Sequence, residues 1–225
     1  MALRVVLLAS GRGSNLVALA EAISKGQCDA EIIGVISDRH DAPALGEARR
    51  RGFATAVVPL SSFSTREEWD DFLTGAVERM KPELVVLAGF MRIVGPRFIA
   101  AFSPRIINIH PSLLPAFPGR HAVRDALAKG VRLSGCTVHI VDEGVDSGPI
   151  IAQAAVPVFP NDDENSLHAR IQKVEHRLLP QVVNAIAQKV LELKPEGANW
   201  MVNAFWRDGV LASPSCLELS EESGK

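Results

Sequence analysis

The sequence has few of the features that mark membrane, secreted or nucleic-acid-binding proteins. Its longest apolar runs, such as residues 5–9 and 84–88, are far shorter than the roughly 20 residues of a membrane span. The N-terminus lacks the length and flanking residues of a secretory signal, which predicts a cytoplasmic protein with no membrane partner. The 24 Lys and Arg residues are offset by 26 Asp and Glu, and no basic stripe predicts a nucleic-acid partner.

Cysteine and the usual metal-binding and nucleophile motifs are also scarce. The three cysteines, Cys28, Cys136 and Cys216, are odd in number and far apart, which suits neither a disulfide framework nor a zinc site. No HExxH motif, paired Cys/His spacing or G-x-S-x-G elbow occurs. The sequence therefore predicts no metal and no covalent serine chemistry.

Strand and helix signals alternate along the first half of the chain. Apolar runs predict strands at residues 4–9, 31–37, 54–60, 83–88 and 105–110, with helical patterns between them that end at glycine or proline. Such βα repetition is typical of an α/β fold with a parallel sheet and helices on both faces, whose site lies at the carboxyl ends of the strands. We expect one domain over residues 1–212 and a flexible tail over 213–225.

The pattern changes in the second half. Residues 134–142 and 149–159 are extended segments joined by a short loop, which predicts an antiparallel pair. Asn165 or Ser166 is expected to cap a long helix, with a kink at Pro180 and a helical extension to about Leu193. A weak hairpin signal surrounds Asp208-Gly209, with arms at residues 199–202 and 210–212.

A glycine-rich loop, residues 11–15 (GRGSN), joins the first strand to its helix. Backbone N–H groups and the helix dipole at such a junction favour a bound phosphate, although the loop could simply be a tight turn. Leu16 replaces the third glycine of the dinucleotide-binding pattern, which favours a lone phosphate over a pyrophosphate. Asp38 follows the second strand, where a dinucleotide-binding oxidoreductase keeps its ribose acid, or where a turn residue can lie.

Two polar residues end an otherwise apolar strand. Asn108 and His110 are two residues apart and therefore project from the same face at the carboxyl end of the strand. An amide can donate to a developing oxyanion, and an imidazole can donate to it or move a proton. A histidine at a strand end can also be purely structural, so the pair carries more weight than either residue alone.

Acidic and polar residues later in the chain supply further candidates. Asp146, in the loop between the two extended segments, could orient a histidine and raise its pKa, with Asp142 and Glu143 as competitors and a turn role as the alternative. On the long helix, His168, Gln172 and Glu175 share one face, where such residues are mostly solvated.

Together these residues resemble the folate-dependent phosphoribosylglycinamide formyltransferases of purine biosynthesis, from about Arg4 to the end of the long helix. The resemblance implies a Rossmann-like formyltransferase fold with an open, mostly parallel twisted sheet of about seven strands and an antiparallel hairpin. The family's I-N-I-H-P-S-L-L-P run matches residues 107–115, and its acidic loop matches Asp146. These matches imply that Asn108, His110 and Asp146 are catalytic.

The resemblance also implies two binding regions and a cosubstrate, 10-formyltetrahydrofolate, with no metal. The residues expected to bind phosphoribosylglycinamide are Gly13, Ser14, Asn15, Pro111, Gln172 and Glu175. Those expected to line the folate pocket are Phe90, Met91, Arg92, Ile93, Val94, Val141, Asp142, Glu143, Gly144 and Val145. Both partners are small molecules, and the protein is expected to be a monomer or a homodimer.

Other functions stay open at this stage. Methionyl-tRNA formyltransferases and formyltetrahydrofolate deformylases share the Asn-x-His plus Asp core, so these residues indicate formyl chemistry more firmly than they indicate the acceptor. A net charge of −2 fits a tRNA-binding enzyme poorly, and residues 110–115 (HPSLLP) differ from the HHSFLP that the deformylases resemble. An oxidoreductase using Gly11, Gly13 and Asp38, or a binding module without catalysis, would leave Asn108 and His110 unexplained.

Overall fold

The computed structural model describes residues 1–194 and, as backbone only, residues 205–207 and 210–212. The chain alternates strands and helices as the sequence predicts. The strands of the main sheet are β1 (Leu3–Leu8), β2 (Ala30–Ser37), β3 (Thr55–Val57), β4 (Leu84–Leu87), β5 (Ile106–His110), β6 (Leu133–Ile140) and β7 (Ile150–Pro157). The helices are α1 (Ser14–Ser24), α2 (Pro43–Arg50), α3 (Arg66–Glu78), α4 (Pro96–Phe102), α5 (Ala122–Ala128) and α6 (Glu164–Ala187).

The seven strands form one sheet in the order β3-β2-β1-β4-β5-β6-β7. Pairing is parallel from β3 through β5, whereas β6 is antiparallel to both β5 and β7. The predicted class, a mostly parallel seven-stranded sheet with an antiparallel element in the second half, is confirmed. The strand order reverses between β1 and β4, where the connections leave in opposite directions and open a crevice at the carboxyl edge.

Alternate residues of the central strand β1 feed two separate cores. Val5 and Leu7 pack in a cluster with α1 and α6, whereas Val6 and Leu8 pack in a second cluster with α3 and α4. All four side chains are fully buried. This explains why the first strand reads as a continuous apolar run, because a strand covered on both faces has no solvent-facing position.

Two predicted elements differ from the structure in their bounds. β3 covers three residues rather than residues 54–60, because it pairs only with the end of β2 and the chain then turns into a 3-10 helix at Leu60–Ser62. α6 begins earlier than predicted, because Asp163 rather than Asn165 or Ser166 is the N-cap. The Asp163 carboxylate accepts from the Ser166 backbone N–H at 2.7 Å.

The end of α6 also differs from the prediction. The helix continues through Pro180 and stops at Ala187, short of the expected Leu193. Lys189 has a φ of 58°, in the left-handed region, which is incompatible with a continuing right-handed helix.

Beyond α6, the structure describes one further pair of strands. β8 (Phe205–Arg207) pairs antiparallel with β9 (Val210–Ala212), so a hairpin is present but its first arm follows the predicted one. The predicted arm at residues 199–202, Cys216 and the predicted tail at 213–225 lie outside the described residues. Within the described part of the chain, no helix combines the length and apolar character needed to cross a membrane.

Candidate active site

A cavity of about 580 Å³ opens at the carboxyl edge of the sheet. It brings together the loop before α1, the segments after β4 and β5, the β6–β7 loop and one face of α6. The lining includes every predicted site residue except Glu143, which is exposed to solvent outside the cavity. It also includes Gly119, Arg120 and His139, which the sequence did not place in the site, together with Arg12 of the glycine-rich loop and His168 of the long helix.

The glycine-rich loop is shaped by a requirement for glycine at residue 13. Gly13 is the N-cap of α1 with a φ of 77°, and a Cβ there would lie 2.8 Å from the Cβ of Ala44. Leu16, at the position of the missing third glycine, is fully buried in the core. The N-terminus of α1 lines the cavity, and because the first backbone N–H groups of a helix have no partner within the helix, this arrangement favours an anion.

Asp146 is the centre of the polar cluster at the end of β5. Its Oδ2 lies 3.2 Å from His110 Nδ1 and accepts from the Gly119 N–H at 2.7 Å. Its Oδ1 accepts from Asn108 Nδ2 at 3.3 Å. Asp146 has a φ of 51°, a region that aspartate tolerates better than most residues. The structure thus brings the three predicted catalytic residues together, with Asp146 in contact with both of the others.

The competing acid in this loop has a local role. Asp142 Oδ1 accepts from the Gly144 backbone N–H at 3.1 Å and from Ser147 Oγ at 2.8 Å. These bonds make Asp142 the turn acid of the loop, leaving Asp146 to contact the strand-end residues.

Two opposing effects act on the pKa of His110. Burial lowers the pKa of His110 below its ordinary value, and the nearby Asp146 carboxylate offsets this only in part. The expected effect of the Asp146 charge is thus present, but burial, which the sequence did not indicate, is the larger effect and the His110 pKa is lowered. Nε2 of the same ring lies 2.9 Å from the Phe117 carbonyl oxygen, so both ring nitrogens face acceptors and a protonated ring can donate to both.

Asp146 itself is held in the ionised form. Its burial would raise the pKa, but the neighbouring His139, the hydrogen bond from the Gly119 N–H and the nearby His110 together outweigh that effect and lower the pKa. The site therefore keeps a carboxylate beside the imidazole across the neutral pH range.

His139 is the functional candidate that the sequence analysis missed. It lies on β6 directly opposite Asn108, with Nε2 3.1 Å from Asn108 Nδ2 and 3.6 Å from Asp146 Oδ1. Nδ1 lies 2.8 Å from the Ile140 carbonyl oxygen, so in the neutral ring the proton sits on Nδ1 and Nε2 accepts from the amide. A histidine in an apolar strand was the available signal, but its partner depends on strand register.

The polar face of α6 lines the other side of the cavity. Glu175 is 4% exposed, and its Oε2 accepts from Asn15 Nδ2 at 3.0 Å. Burial raises the pKa of Glu175 to about 7. Gln172 and His168 also line the cavity, so this face is only partly solvated. Asn15 and Glu175 connect the glycine-rich loop directly to α6.

The segment after β4 forms an apolar wall with one cation. Met91 is 60% exposed and Ile93 is 52% exposed, unusual values for large apolar side chains in a cavity unless a ligand covers them. Arg92, between them, binds Asp38 with Nε 2.7 Å from Oδ2. Asp38 does not line the cavity, so its carboxylate is not placed to bind a ribose as the oxidoreductase alternative requires.

No metal centre accompanies these groups in the part of the chain that the structure describes. Although His110, His139 and Asp146 are close together, no three His, Cys, Asp or Glu side chains there are arranged to hold a metal ion. The arrangement suits oxyanion stabilisation and proton movement.

Comparison with known proteins adds an independent observation to this geometry. Residues 3–183 match the family model described as formyl transferase. The chain belongs to the formyl transferase family. The match includes all the cavity-lining residues, from the glycine-rich loop to α6.

Similarity between this formyl transferase and its relatives extends over most of the length of both chains. It is 40% identical to the phosphoribosylglycinamide formyltransferase of Escherichia coli (strain K12) over 212 residues, which are 94% of this chain and 97% of that protein. It is 48% identical to the enzyme of the same name from Mycobacterium tuberculosis (strain H37Rv), over 82% of this chain and 85% of that protein. The crystal structure of glycinamide ribonucleotide transformylase 1 from Symbiobacterium toebii has a TM-score of 0.84 and 42% identity, covering 88% and 93% of the two chains.

A structure with a different printed activity is also similar. The crystal structure of a formyltetrahydrofolate deformylase from Pseudomonas syringae has a TM-score of 0.81 but only 28% identity. The match covers 88% of this chain and 65% of that chain. The shared fold thus includes proteins with two different printed activities. The sequence of this chain is more similar to the transformylase than to the deformylase.

Proposed function

We propose that this formyl transferase moves the formyl group of 10-formyltetrahydrofolate to the amine of 5'-phosphoribosylglycinamide, in purine biosynthesis. The observation that carries the proposal is the convergence of Asn108, His110 and Asp146 on one cavity that also contains an anion-binding loop. Close relatives with the same printed activity support this acceptor. The cytoplasmic location, the monomeric or homodimeric state and the absence of other partners stay predictions.

The phosphate and amine of the acceptor are assigned to neighbouring parts of the cavity. Residues 13–15 would bind the ribose phosphate through the N-terminus of α1. Gln172 and Glu175 would bind the glycinamide group, and Pro111 would contact the same substrate. The hydrogen bond between Asn15 and Glu175 supports this arrangement, because it keeps the two regions side by side.

The formyl donor is assigned to the apolar wall. Residues 90–94 and 141–145 would contact the flat folate rings, and the exposed Met91 and Ile93 support this placement because a ligand would cover them. For Glu143 the support is absent, since this side chain lies outside the cavity lining.

The chemistry follows from the donors at the end of β5. The acceptor amine attacks the formyl carbon, a new C–N bond forms, and the carbonyl π electrons move to oxygen. Asn108 and His110 would donate to that oxyanion. One Asn108 N–H would exchange Asp146 or His139 for the new acceptor, and His110 Nε2 would exchange the Phe117 carbonyl oxygen for it while Nδ1 stays on Asp146. Collapse of the intermediate breaks the bond to the folate nitrogen N10.

The role proposed for Asp146 concerns the proton that moves from the attacking nitrogen to the folate nitrogen N10. One proton leaves the attacking nitrogen and one is taken up by N10, so the reaction as a whole neither gains nor loses a proton. Asp146 would hold His110 in its protonated form when the oxyanion develops and would orient the water that relays the proton. No acyl-enzyme is needed for this sequence of steps.

A direct assay tests this function against the deformylase alternative. The purified protein is incubated with 10-formyltetrahydrofolate, with and without phosphoribosylglycinamide. Folate turnover is followed by absorbance, and the formylated product is identified by mass spectrometry. We expect folate turnover and a formylated glycinamide only when both substrates are present. Turnover without the acceptor would indicate a hydrolase, and no turnover in either case would contradict the proposed transfer.

The buried Glu175 leads to a prediction about stability and pH. Its pKa rises from the ordinary 4.5 to about 7 on folding, so between these values the folded protein binds more protons than the unfolded chain. Stability contributed by this group is therefore lost as pH rises from 4.5 to 7, by at most about 3 kcal/mol. Glu175→Gln, which keeps an acceptor for Asn15, is expected to remove that part of the decline.

Urea unfolding of both proteins between pH 4.5 and 8 measures this difference. All other titrating groups are the same in the two chains, so the difference between their unfolding free energies isolates Glu175. The unfolding free energy of the variant, relative to that of wild type, should increase as pH rises to 7 and stay constant above pH 7. Parallel curves across this range would show that the Glu175 pKa is not raised.

A further inference from the structure

Asp38 is a buried acid that the proposed chemistry does not use. It follows β2, is 4% exposed and lies outside the cavity lining. Its Oδ2 binds Arg92 Nε at 2.7 Å, whereas its Oδ1 is buried without a hydrogen-bond partner among the described residues. A buried carboxylate needs a cation beside it, and Arg92 supplies that cation.

Arg92, unlike Asp38, lines the cavity. Its side chain is 43% exposed, and Nε is its hydrogen-bonding atom toward Asp38. Among the described residues, neither Nη nitrogen has an acceptor, so both terminal NH₂ groups are available to a ligand on the cavity wall. A guanidinium held in this way can bind a carboxylate with two parallel N–H bonds.

The backbone around Arg92 is fixed without any help from Asp38. Ser10 Oγ accepts from the Met91 N–H at 2.8 Å, and Arg66 donates to the Ile93 carbonyl oxygen. Farther along, Asp70 accepts from the Gly95 N–H at 2.7 Å. Loss of Asp38 would therefore free the Arg92 side chain and leave the course of the loop unchanged.

The neighbouring charges do not compete for this contact. Arg39, which follows Asp38 in the chain, makes two bonds with Asp41, at 3.0 Å and 2.7 Å. Asp38 and Arg92 thus form a separate pair, and Asp41 provides a matched acid three residues away that does not contact the cavity.

We propose that Asp38 is a positioning residue for the formyl donor, holding the Arg92 guanidinium so that its terminal NH₂ groups meet a carboxylate or carbonyl oxygen of the folate. The proposal rests on the function assigned above. We expect it to act on one substrate alone, because the polar partner of Asp38 among the described residues is Arg92 and not the phosphate loop, Glu175 or the Asn108–His110–Asp146 cluster. An ordered Arg92 loses less conformational entropy on binding than a free one.

Steady-state kinetics of Asp38→Asn tests the proposal. We expect KM for 10-formyltetrahydrofolate to rise about 3- to 10-fold, with kcat and KM for phosphoribosylglycinamide within twofold of wild type. Asp41→Asn is the matched control and should change none of these values. An unchanged folate KM, or an equal rise for both substrates, would overturn the positioning role.

A double-mutant cycle separates positioning from a general effect on the fold. If Asp38 acts through Arg92, then Asp38→Ala should not raise the folate KM any further in an Arg92→Ala background. The double variant should also unfold at a higher urea concentration than Arg92→Ala alone, since that variant leaves the Asp38 charge buried and unpaired. An additional rise in KM in the double variant would contradict the proposal.

Calorimetric titration with tetrahydrofolate gives a readout that does not depend on turnover. Weaker binding by Asp38→Asn, with unchanged binding by Asp41→Asn, would support the positioning role even if wild type failed to transfer a formyl group, a failure that contradicts only the proposed function. Absence of folate binding by wild type would overturn both.

Discussion

Replacing Asn108 with alanine is expected to lower kcat by about 10²- to 10³-fold while KM for either substrate changes little. The amide donates to charge that appears only in the transition state, so its loss affects the chemical step more than ground-state binding. In the structure the same amide contacts Asp146 and His139, and the variant therefore also leaves these two groups without their shared donor.

Single-turnover kinetics with both substrates saturating measures the effect on the chemical step. Asn184→Ala is a suitable control, because the Asn184 amide binds the Asp29 backbone N–H at 3.0 Å and does not line the cavity. Its kcat should equal that of wild type. If Asn108→Ala kept wild-type kcat, or lost activity only through a higher KM, Asn108 could not be the oxyanion donor.

The features that the sequence could predict are local ones. Apolar runs and their glycine and proline boundaries indicated all seven strands, and central strands such as β1 and β4 are continuous apolar runs because both of their faces are buried. The spacing of Asn108 and His110 placed both at one strand end, since side-chain direction repeats every two residues. Gly13 was predicted within an anion-binding loop for the same local reason, a tight turn before a helix.

The features that the sequence could not predict depend on contacts between distant segments. His139 meets Asn108 only through the antiparallel register of β5 and β6, and a shift of one residue would turn it to the other face. Asp38 meets Arg92 because β2 and β4 flank β1, an order that apolar patterning does not encode. Both contacts are therefore long-range consequences of topology.

The burial of polar side chains is a second feature that the sequence could not predict. Glu175 lies on the polar face of α6, where helical periodicity predicts solvent, but it is 4% exposed and bonded to Asn15 at the start of α1. Likewise, the lowered pKa of His110 comes from burial, whereas the sequence offered only the neighbouring acid as a cause. Charge partners can be guessed from sequence more readily than desolvation can.

The largest loss of activity is expected for Asp146→Asn, at about 10³-fold or more in kcat. The carboxylate accepts from Asn108 and Gly119 and lies beside His110. An amide presents an NH₂ group to at least one of these donors, so it breaks the cluster geometry as well as its charge. Asp125→Asn, an exposed acid on α5 paired with Arg124, is the charge-matched control and should retain activity.

The same variant distinguishes a charge effect from a purely geometric one. The Asp146 carboxylate opposes the lowering of the His110 pKa by burial, so its removal should lower that pKa further. Titration of the His110 ring protons by NMR in wild type and variant measures the shift directly, and the pH–rate profile should show the matching change in any residual activity. A large loss of kcat with an unchanged His110 pKa would mean that Asp146 orients the site without controlling its charge. Retention of activity within tenfold would remove Asp146 from the catalytic cluster altogether, because no other carboxylate of the described residues contacts His110.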